Sequence, residues 1–274
     1  MLICPLGQTA LLTSPSGVQC SNRHSFDRAR QGYLNLLPVQ HKASRAPGDN
    51  AEMVQARRDF LSAGYYQPVA DFLCRHAISV ELDSWLDIGC GEGYYTAQVA
   101  TALGSSPAYA LDISKEAVRQ ACRRSNSVEW MVASMARVPL AEASMDALFS
   151  VFSPLDWGEV LRLLSPRGRL LHLAPGQDHL IELREMIYDE VRAYDDGKHV
   201  SSLPDGLTVL QTDYLNYKLC LDDERARHDL LLMTPHGQRS NEQKRSRVLH
   251  SLDTVTVSVR LDTIIRSNEV TDAA

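Results

Sequence analysis

From residue 85 onward the apolar positions fall into short continuous runs separated by amphipathic stretches. SWLDIGC predicts a strand over 85–89 and AYALDIS a strand over 108–112, while SVEWMVASM, SMDALFSVFS and RLLHLAPG each hold one more. Between these runs YYTAQVATAL, KEAVRQACRR and DWGEVLRLLSPRG have helical periodicity, with Ser114 as the N-cap of the second and Pro166-Arg167-Gly168 stopping the third. Strands alternating with helices imply parallel βαβ units and an α/β fold. Upstream, 51–77 reads as a helical pattern that Gly64 and Pro68 split in two. Downstream, 178–195 predicts one long helix, and DYLNYKLCL and TVTVSVRLDTII read as strands. The first 36 residues lack helical periodicity; TSPSG marks a turn between short strands expected at LICPL and GVQCS. PVQHKASRAPGDN (38–50) reads as an exposed connector.

No apolar run approaches the roughly 18 residues a membrane helix needs. No basic patch precedes an apolar core at the N-terminus, so no signal peptide and no membrane partner are expected. The six cysteines are scattered, which fits a reducing cytoplasm better than a disulfide framework. The net charge of -6 argues mildly against nucleic acid. The charge is uneven, however. Arg23, Arg28, Arg30, Lys42, Arg45, Arg57 and Arg58 outnumber the acids between 20 and 60, and Arg239, Lys244, Arg245 and Arg247 follow near the C-terminus. An acidic chain can still present a basic face.

WLDIGCGEGYYT carries the strongest local signal. A strand end runs into Gly89, Gly91 and Gly93, and a helix follows, an arrangement that brings backbone close to a ligand. Asp112, at the end of the next strand, can accept both ribose hydroxyls of an adenosine. Asp87 stands two residues before the first glycine, where a pyrophosphate would be repelled and an amino-bearing cation held. The pattern D-x-G-x-G-x-G therefore looks like motif I of the class I, S-adenosylmethionine-dependent methyltransferases. Ser134 and the loop MARVPL would border the adenine, and Ser153-Pro154 would face the transferred methyl group. Asp146 reads as a surface acid at a strand start.

Cys4, Cys20 and His24 look like three quarters of a tetrahedral zinc site; the alternative is that Cys4 and Cys20 are unpaired structural thiols and the module is held by packing of Leu2, Leu6, Leu11, Val18 and Phe26. A C-x2-C pair would need a second cysteine at position 7, where the chain has Gly7.

The runs HSFDRARQGYLNLLPVQHK, PGDNAEMVQARRDFLSAGYYQP and DIGCGEGYYT, in that order, resemble the bacterial 23S rRNA (guanine-N1)-methyltransferases of the RlmA (RrmA) family, over about residues 3–235. The resemblance implies a zinc-finger-like RNA-recognition module at 1–36. It implies a Rossmann-like methyltransferase domain at 37–274, with a helical lead-in at 51–77, a core at about 80–175 and a C-terminal helix and strands at 176–265. It implies methylation of guanine N1 in the hairpin-35 loop of 23S rRNA, S-adenosylmethionine and zinc as cofactors, and dimerising members. The family has cysteine at the position of Gly7, so a fourth zinc ligand here would be water, Asp27 or His41. Tyr66, Tyr95, Thr96 and His179 match cofactor-side positions, beside Asp87, Gly89, Gly91, Asp112 and Ser134 from the motif itself. Asp156, Asp178 and Glu182 are candidate general bases for the guanine N1 proton. Tyr65, Tyr66, Tyr94 and Trp157 are candidate stacking platforms for a splayed base. A small-molecule methyltransferase, or an RNA binder without catalysis, are the competing functions.

Overall fold

The structure, a computed structural model, describes residues 1–38, 48–78, 82–104, 106–192, 194–201 and 203–267. The chain begins with β1 (Leu11–Ser14), β2 (Gly17–Cys20), β3 (Ser25–Asp27) and β4 (Leu34–Asn35), followed by α1 (Ala51–Ser62) and α2 (Gln67–Ala77). The alternating region contributes β5 (Trp85–Ile88), α3 (Tyr94–Leu103), β6 (Ala108–Asp112), α4 (Lys115–Ala121), β7 (Val128–Val132), β8 (Met145–Val151), α5 (Trp157–Leu163) and β9 (Leu164–Pro175). The rest holds α6 (Ile181–Ile187), β10 (Leu207–Cys220), α7 (Glu224–Met233), α8 (Pro235–Gln238), α9 (Glu242–Ser251) and β11 (Thr254–Arg266).

The large sheet runs β10-β11-β9-β8-β5-β6-β7-β4. Strands β9, β8, β5, β6, β7 and β4 pair in parallel; β11 joins β9 antiparallel, and β10 pairs antiparallel with β11 at the edge. The strand order reverses at β5. The topological switch point therefore lies between the carboxyl ends of β5 and β8, where ligands of open α/β sheets bind.

A sheet buried on both faces needs two covers. Side chains of β5 alternate between them: Trp85 joins Phe60, Leu73, Phe149 and Leu173 under α1–α4, α6, α7 and α9, whereas Leu86 joins Leu111, Met131, Leu148 and Leu170 on the other face. On that second face, α5 and the N-terminal β1–β3 sheet supply the cover, and Cys4, Leu11, Val18 and Cys20 belong to the same apolar cluster as the sheet residues. Strand β4 then adds an eighth strand to the large sheet, with Leu34 opposite Met131.

Several sequence expectations are corrected here. The first strand of the N-terminal sheet is 11–14, because Leu2 and Ile3 pair instead with Leu140 and Ala10. Leu6 is exposed and adds nothing to that module's core. The connector predicted at 38–50 is not wholly exposed; 39–47 lie outside the described residues, but Asp49 O accepts the Ser114 hydroxyl at 2.9 Å and Gly48 abuts Ser114. The long helix predicted over 178–195 is α6 alone. Buried Arg184 stops it: its guanidinium donates to the carbonyls of Gln177, His179 and Arg192 and stacks 3.8 Å over the Tyr194 ring, folding the chain back on itself. Helix α5 ends at Leu163, and the strand begins directly after it, before the proline.

Leu34 is fully buried between the N-terminal segment and β7. Leu34→Ala should cost about 2–5 kcal/mol of unfolding free energy. Denaturant unfolding followed separately by tryptophan fluorescence and far-UV circular dichroism should show both probes shifting together.

Candidate active site and metal centre

A cavity of about 470 Å³ opens at the switch point. One wall is the loop after β5. Gly91 has φ +56°, a left-handed conformation that L side chains rarely adopt, and a Cβ there would stand 3.7 Å from Arg57 Nη1. A Cβ at Gly89 would collide with Ser153 after β8, so that glycine lets the two strand ends close on each other. Gly91 N–H donates to Asp112 Oδ2 at 3.0 Å and Ser114 N–H to Asp112 Oδ1 at 2.7 Å. These bonds orient the Asp112 carboxylate into the cavity and leave lone pairs for a diol.

Asp87 is 2% exposed at the end of the central strand. Its Oδ2 accepts the Thr96 hydroxyl at 2.6 Å, and its Oδ1 has no hydrogen-bond partner. Burial pushes this carboxyl up to about 7, opposed by the Thr96 hydroxyl and reinforced by the charge of Asp112. A buried, half-satisfied carboxylate lining a cavity is a socket for a cation. Glu92 repeats the theme more weakly: Arg124 Nε donates to Oε2 at 2.6 Å, Oε1 is unpaired, and burial raises the group despite Arg124.

Aromatic groups form the opposite wall. Tyr66 OH and His179 Nε2 lie 3.5 Å apart, and His179 Nδ1 accepts the Ser258 N–H at 3.3 Å. That acceptor role puts the ring proton on Nε2. Burial, with His236 and Arg184 nearby, holds the His179 imidazole down to about 4, so it is neutral. The Tyr66 hydroxyl proton is then available to the cavity. Phe152, in a left-handed conformation at φ +52°, places its ring 5.4 Å from that of His179.

Of the positions expected at the cofactor, Tyr66, Asp87, Gly89, Gly91, Tyr95, Asp112, Ser134 and His179 line this cavity, and Thr96 stands behind it as the donor to Asp87. Tyr94 also lines it; Tyr65 and Trp157 do not. None of the three candidate bases lines it. Asp156 caps α5 by accepting the Glu159 N–H, Asp178 is exposed at the surface, and Glu182 is bonded to Thr256 and Lys218. Asp146, expected at the surface, is half-buried and accepts from Ser84 and Ser165. The basic stretch is largely spent within the fold: Arg28 grips Glu129 with two hydrogen bonds, Arg57 pairs with Asp49 and Arg58 reaches Gln120. Arg23 and Arg30 stay exposed, and Lys42 and Arg45 lie outside the described residues.

The cavity also recruits residues that no local pattern marks. Asp49 and Arg57 come from before the core, and Tyr194 and His236 from after it. His236 accepts or donates to the hydroxyls of Tyr188 at 2.9 Å and Tyr194 at 3.3 Å. Burial, with Arg184 and Arg239, pushes its imidazole down to about 4. Only the long-range return of the chain brings these groups to the mouth, so no spacing rule could have found them.

The residues fit S-adenosylmethionine. Asp87 would hold its ammonium group, Asp112 its ribose hydroxyls, and the loop at Ser134–Met135 its adenine, with no phosphate to repel. When bound, the cofactor supplies an electrophilic methyl group on a sulfonium.

In the N-terminal module, Cys4 Sγ and Cys20 Sγ each lie 3.5 Å from His24 Nδ1. All three donor atoms lie within 4.8 Å of one another, and both thiols are buried. Two thiolates and an imidazole converging on one point suit zinc. Asp27 is not a fourth ligand; it is exposed and accepts the Ser16 hydroxyl in the neighbouring turn. His41 lies outside the described residues.

If Asp87 holds the cofactor's ammonium group, its carboxyl is protonated below about pH 7 in the free protein and must ionise on binding. Affinity should therefore rise with pH through 7 and level off above, by about tenfold between pH 6 and pH 8. Calorimetry of S-adenosylmethionine binding in buffers of different ionisation enthalpy should detect proton release at pH 6.5. Asp87→Asn should bind more weakly and lose the pH dependence.

Comparison with known proteins bears on both sites at once. A zinc-ribbon family model described as "RlmA, N-terminal" matches residues 2–45, and one described as "Methyltransferase domain" matches 86–171. A 23S rRNA (guanine(748)-N(1))-methyltransferase of Streptomyces fradiae is 32% identical over 267 residues, covering 94% of each chain. A Bacillus subtilis protein, YxjB, provisionally named for 23S rRNA (guanine-N(1)-)-methyltransferase activity, is 30% identical, covering 97% of this chain and 96% of its own. Among solved structures, a Bacillus halodurans protein provisionally named a methyltransferase superposes with a TM-score of 0.53 at 12% identity, covering 72% of this chain and 97% of its own, a likeness of fold alone. With a buried carboxylate at motif I, a Cys/His ribbon on the same sheet and relatives similar from end to end, the chain belongs to the RlmA family of 23S rRNA (guanine-N1)-methyltransferases.

Proposed function

We propose that this protein transfers a methyl group from S-adenosylmethionine to N1 of a guanine in the hairpin-35 loop of 23S rRNA. End-to-end similarity to a relative named for guanine-N1 methylation of 23S rRNA carries this reading, because it spans the ribbon and the cofactor cavity together.

Methyl transfer from a sulfonium is an in-line displacement, so the protein's task is alignment and exclusion of water. In this reading Asp87 and Asp112 anchor the two ends of the cofactor and leave the carboxyl end of β8 facing the methyl group. A hairpin guanine reaches that point only when splayed out of its stack. Phe152, Tyr194 and the neutral His236 line the cavity on that side and supply aromatic surfaces for it. The N1 proton must also leave. Among the described residues, the carboxylates lining the cavity are Asp49 and Glu92, paired with Arg57 and Arg124, and Asp87 and Asp112, which this reading gives to the cofactor. Proton loss is therefore assigned to a water path at the mouth. The ribbon, with exposed Arg23 and Arg30 nearby, is the candidate RNA grip, and a second copy of the chain is a further candidate partner.

The test is incubation with labelled S-adenosylmethionine and an unmodified hairpin-35 transcript, with the methyl group located by mass spectrometry of nuclease fragments. The expected product is N1-methylguanine at one loop position. Phe152→Ala should lower the methylation rate by at least about tenfold while leaving cofactor affinity within a few-fold. Tight cofactor binding with no methylated RNA, from hairpin or whole 23S rRNA, would overturn the reading.

A further inference from the structure

The ribbon turns the chain once after each of its buried thiols, and the two turns differ in span. In the second, Arg23 N–H donates to Cys20 O at 2.9 Å, Arg23 takes a left-handed φ of +62°, and His24 follows as a ligand. In the first, Gln8 N–H donates to Cys4 O at 2.9 Å, Gln8 takes a φ of +53°, and Gly7 N–H donates to Cys4 Sγ at 3.3 Å. The Gly7 amide thus already faces the Cys4 sulfur, and position 7 lacks only a side chain. A Cβ added at Gly7 would stand 3.3 Å from His24 Nδ1 and 2.8 Å from the Asn22 carboxamide nitrogen. That corner therefore faces the metal-binding atoms, and a hydrogen-bond donor is aimed at it. Among the described residues, no other Cys, His, Asp or Glu joins the cluster. The ribbon's Cys4, Leu11, Val18 and Cys20 share the core of the large sheet, so its fold does not hang on a closed metal site as that of an isolated finger does.

We infer that this protein holds zinc with three protein ligands, Cys4, Cys20 and His24, and keeps the fourth position, at Gly7 and Asn22, open to an exogenous ligand of the thiolate class. Three protein ligands plus an exchangeable position is the arrangement of catalytic, not structural, zinc sites. Water fills the position at rest. A small thiol displaces it, the metal–sulfur bond forming as the metal–water bond breaks and the thiol proton passing to buffer. The Asn22 carboxamide then donates to the bound sulfur. The inference stands apart from the methyl-transfer reading, since it concerns only the ribbon.

The test replaces zinc by cobalt(II) in the full-length protein and follows thiolate-to-cobalt charge-transfer absorption during titration with 2-mercaptoethanol. The expected result is a saturable rise of about one half in that absorption, as three thiolates replace two. Gly7→Cys should begin at the higher level, fail to respond to the thiol, and hold zinc at least about tenfold more tightly against a chelator. Asn22→Ala should weaken the thiol response several-fold while still binding cobalt. An unresponsive wild-type spectrum would overturn the inference, as would a response that appears only in His41→Ala, since the chain would then close its own site. Failure to take up cobalt, with Cys4 and Cys20 recovered as a disulfide, would overturn it too.

Discussion

A carboxyl group kept almost out of water at the end of the central strand is the constraint on which this architecture turns. Asp87 is tolerated in a run of buried β5 side chains because Thr96 satisfies one of its oxygens, and α3 must start where it does to bring Thr96 there. The glycine turn exists to make that start possible. Gly93 lets α3 approach the Trp130 ring and Ala121, and Gly91 leaves the cavity free of side chain. The remaining oxygen is unsatisfied, which is costly in the empty protein and becomes an attraction once a cation arrives. Fold and site share one energetic cause: the sheet pays at Asp87 for a socket at its switch point.

The second face of the sheet ties the ribbon to the same core. An open α/β sheet must be covered on both sides, and here β1–β3 and Cys4 stand beside α5 as cover. The ribbon is continuous in packing with the methyltransferase sheet, and β4 is hydrogen-bonded into that sheet at β7. A grip on RNA by the ribbon would therefore act on the sheet that carries the cavity through packed side chains and strand β4.

The far wall of the cavity follows a different logic. Arg184 is buried and gathers three carbonyls and the Tyr194 ring, and the return of the chain brings Tyr194 against His236. Burial keeps His179 and His236 neutral, so this wall is aromatic and weakly polar while the glycine-loop wall is acidic. Such a division suits a cation on one side and a flat neutral base on the other.

The sequence by itself determined the alternating core, the motif from Asp87 to Gly93, the paired Asp112 and the Cys/His cluster. Each of these depends on neighbours within a turn or on one strand-to-strand repeat, which spacing encodes directly. It also carried the departure at Gly7, since a missing side chain is visible without any fold. Only the tertiary structure decided that 178–195 breaks after α6, because the break is made by Arg184 reaching carbonyls that local periodicity cannot see. It alone turned Gly48 and Asp49 from connector into cavity wall, removed Asp156, Asp178 and Glu182 from the mouth, and brought Tyr194 and His236 to it. Those positions are set by contacts between segments far apart in the chain, and the free energy of such contacts is written in packing and burial, for which sequence spacing holds no signal.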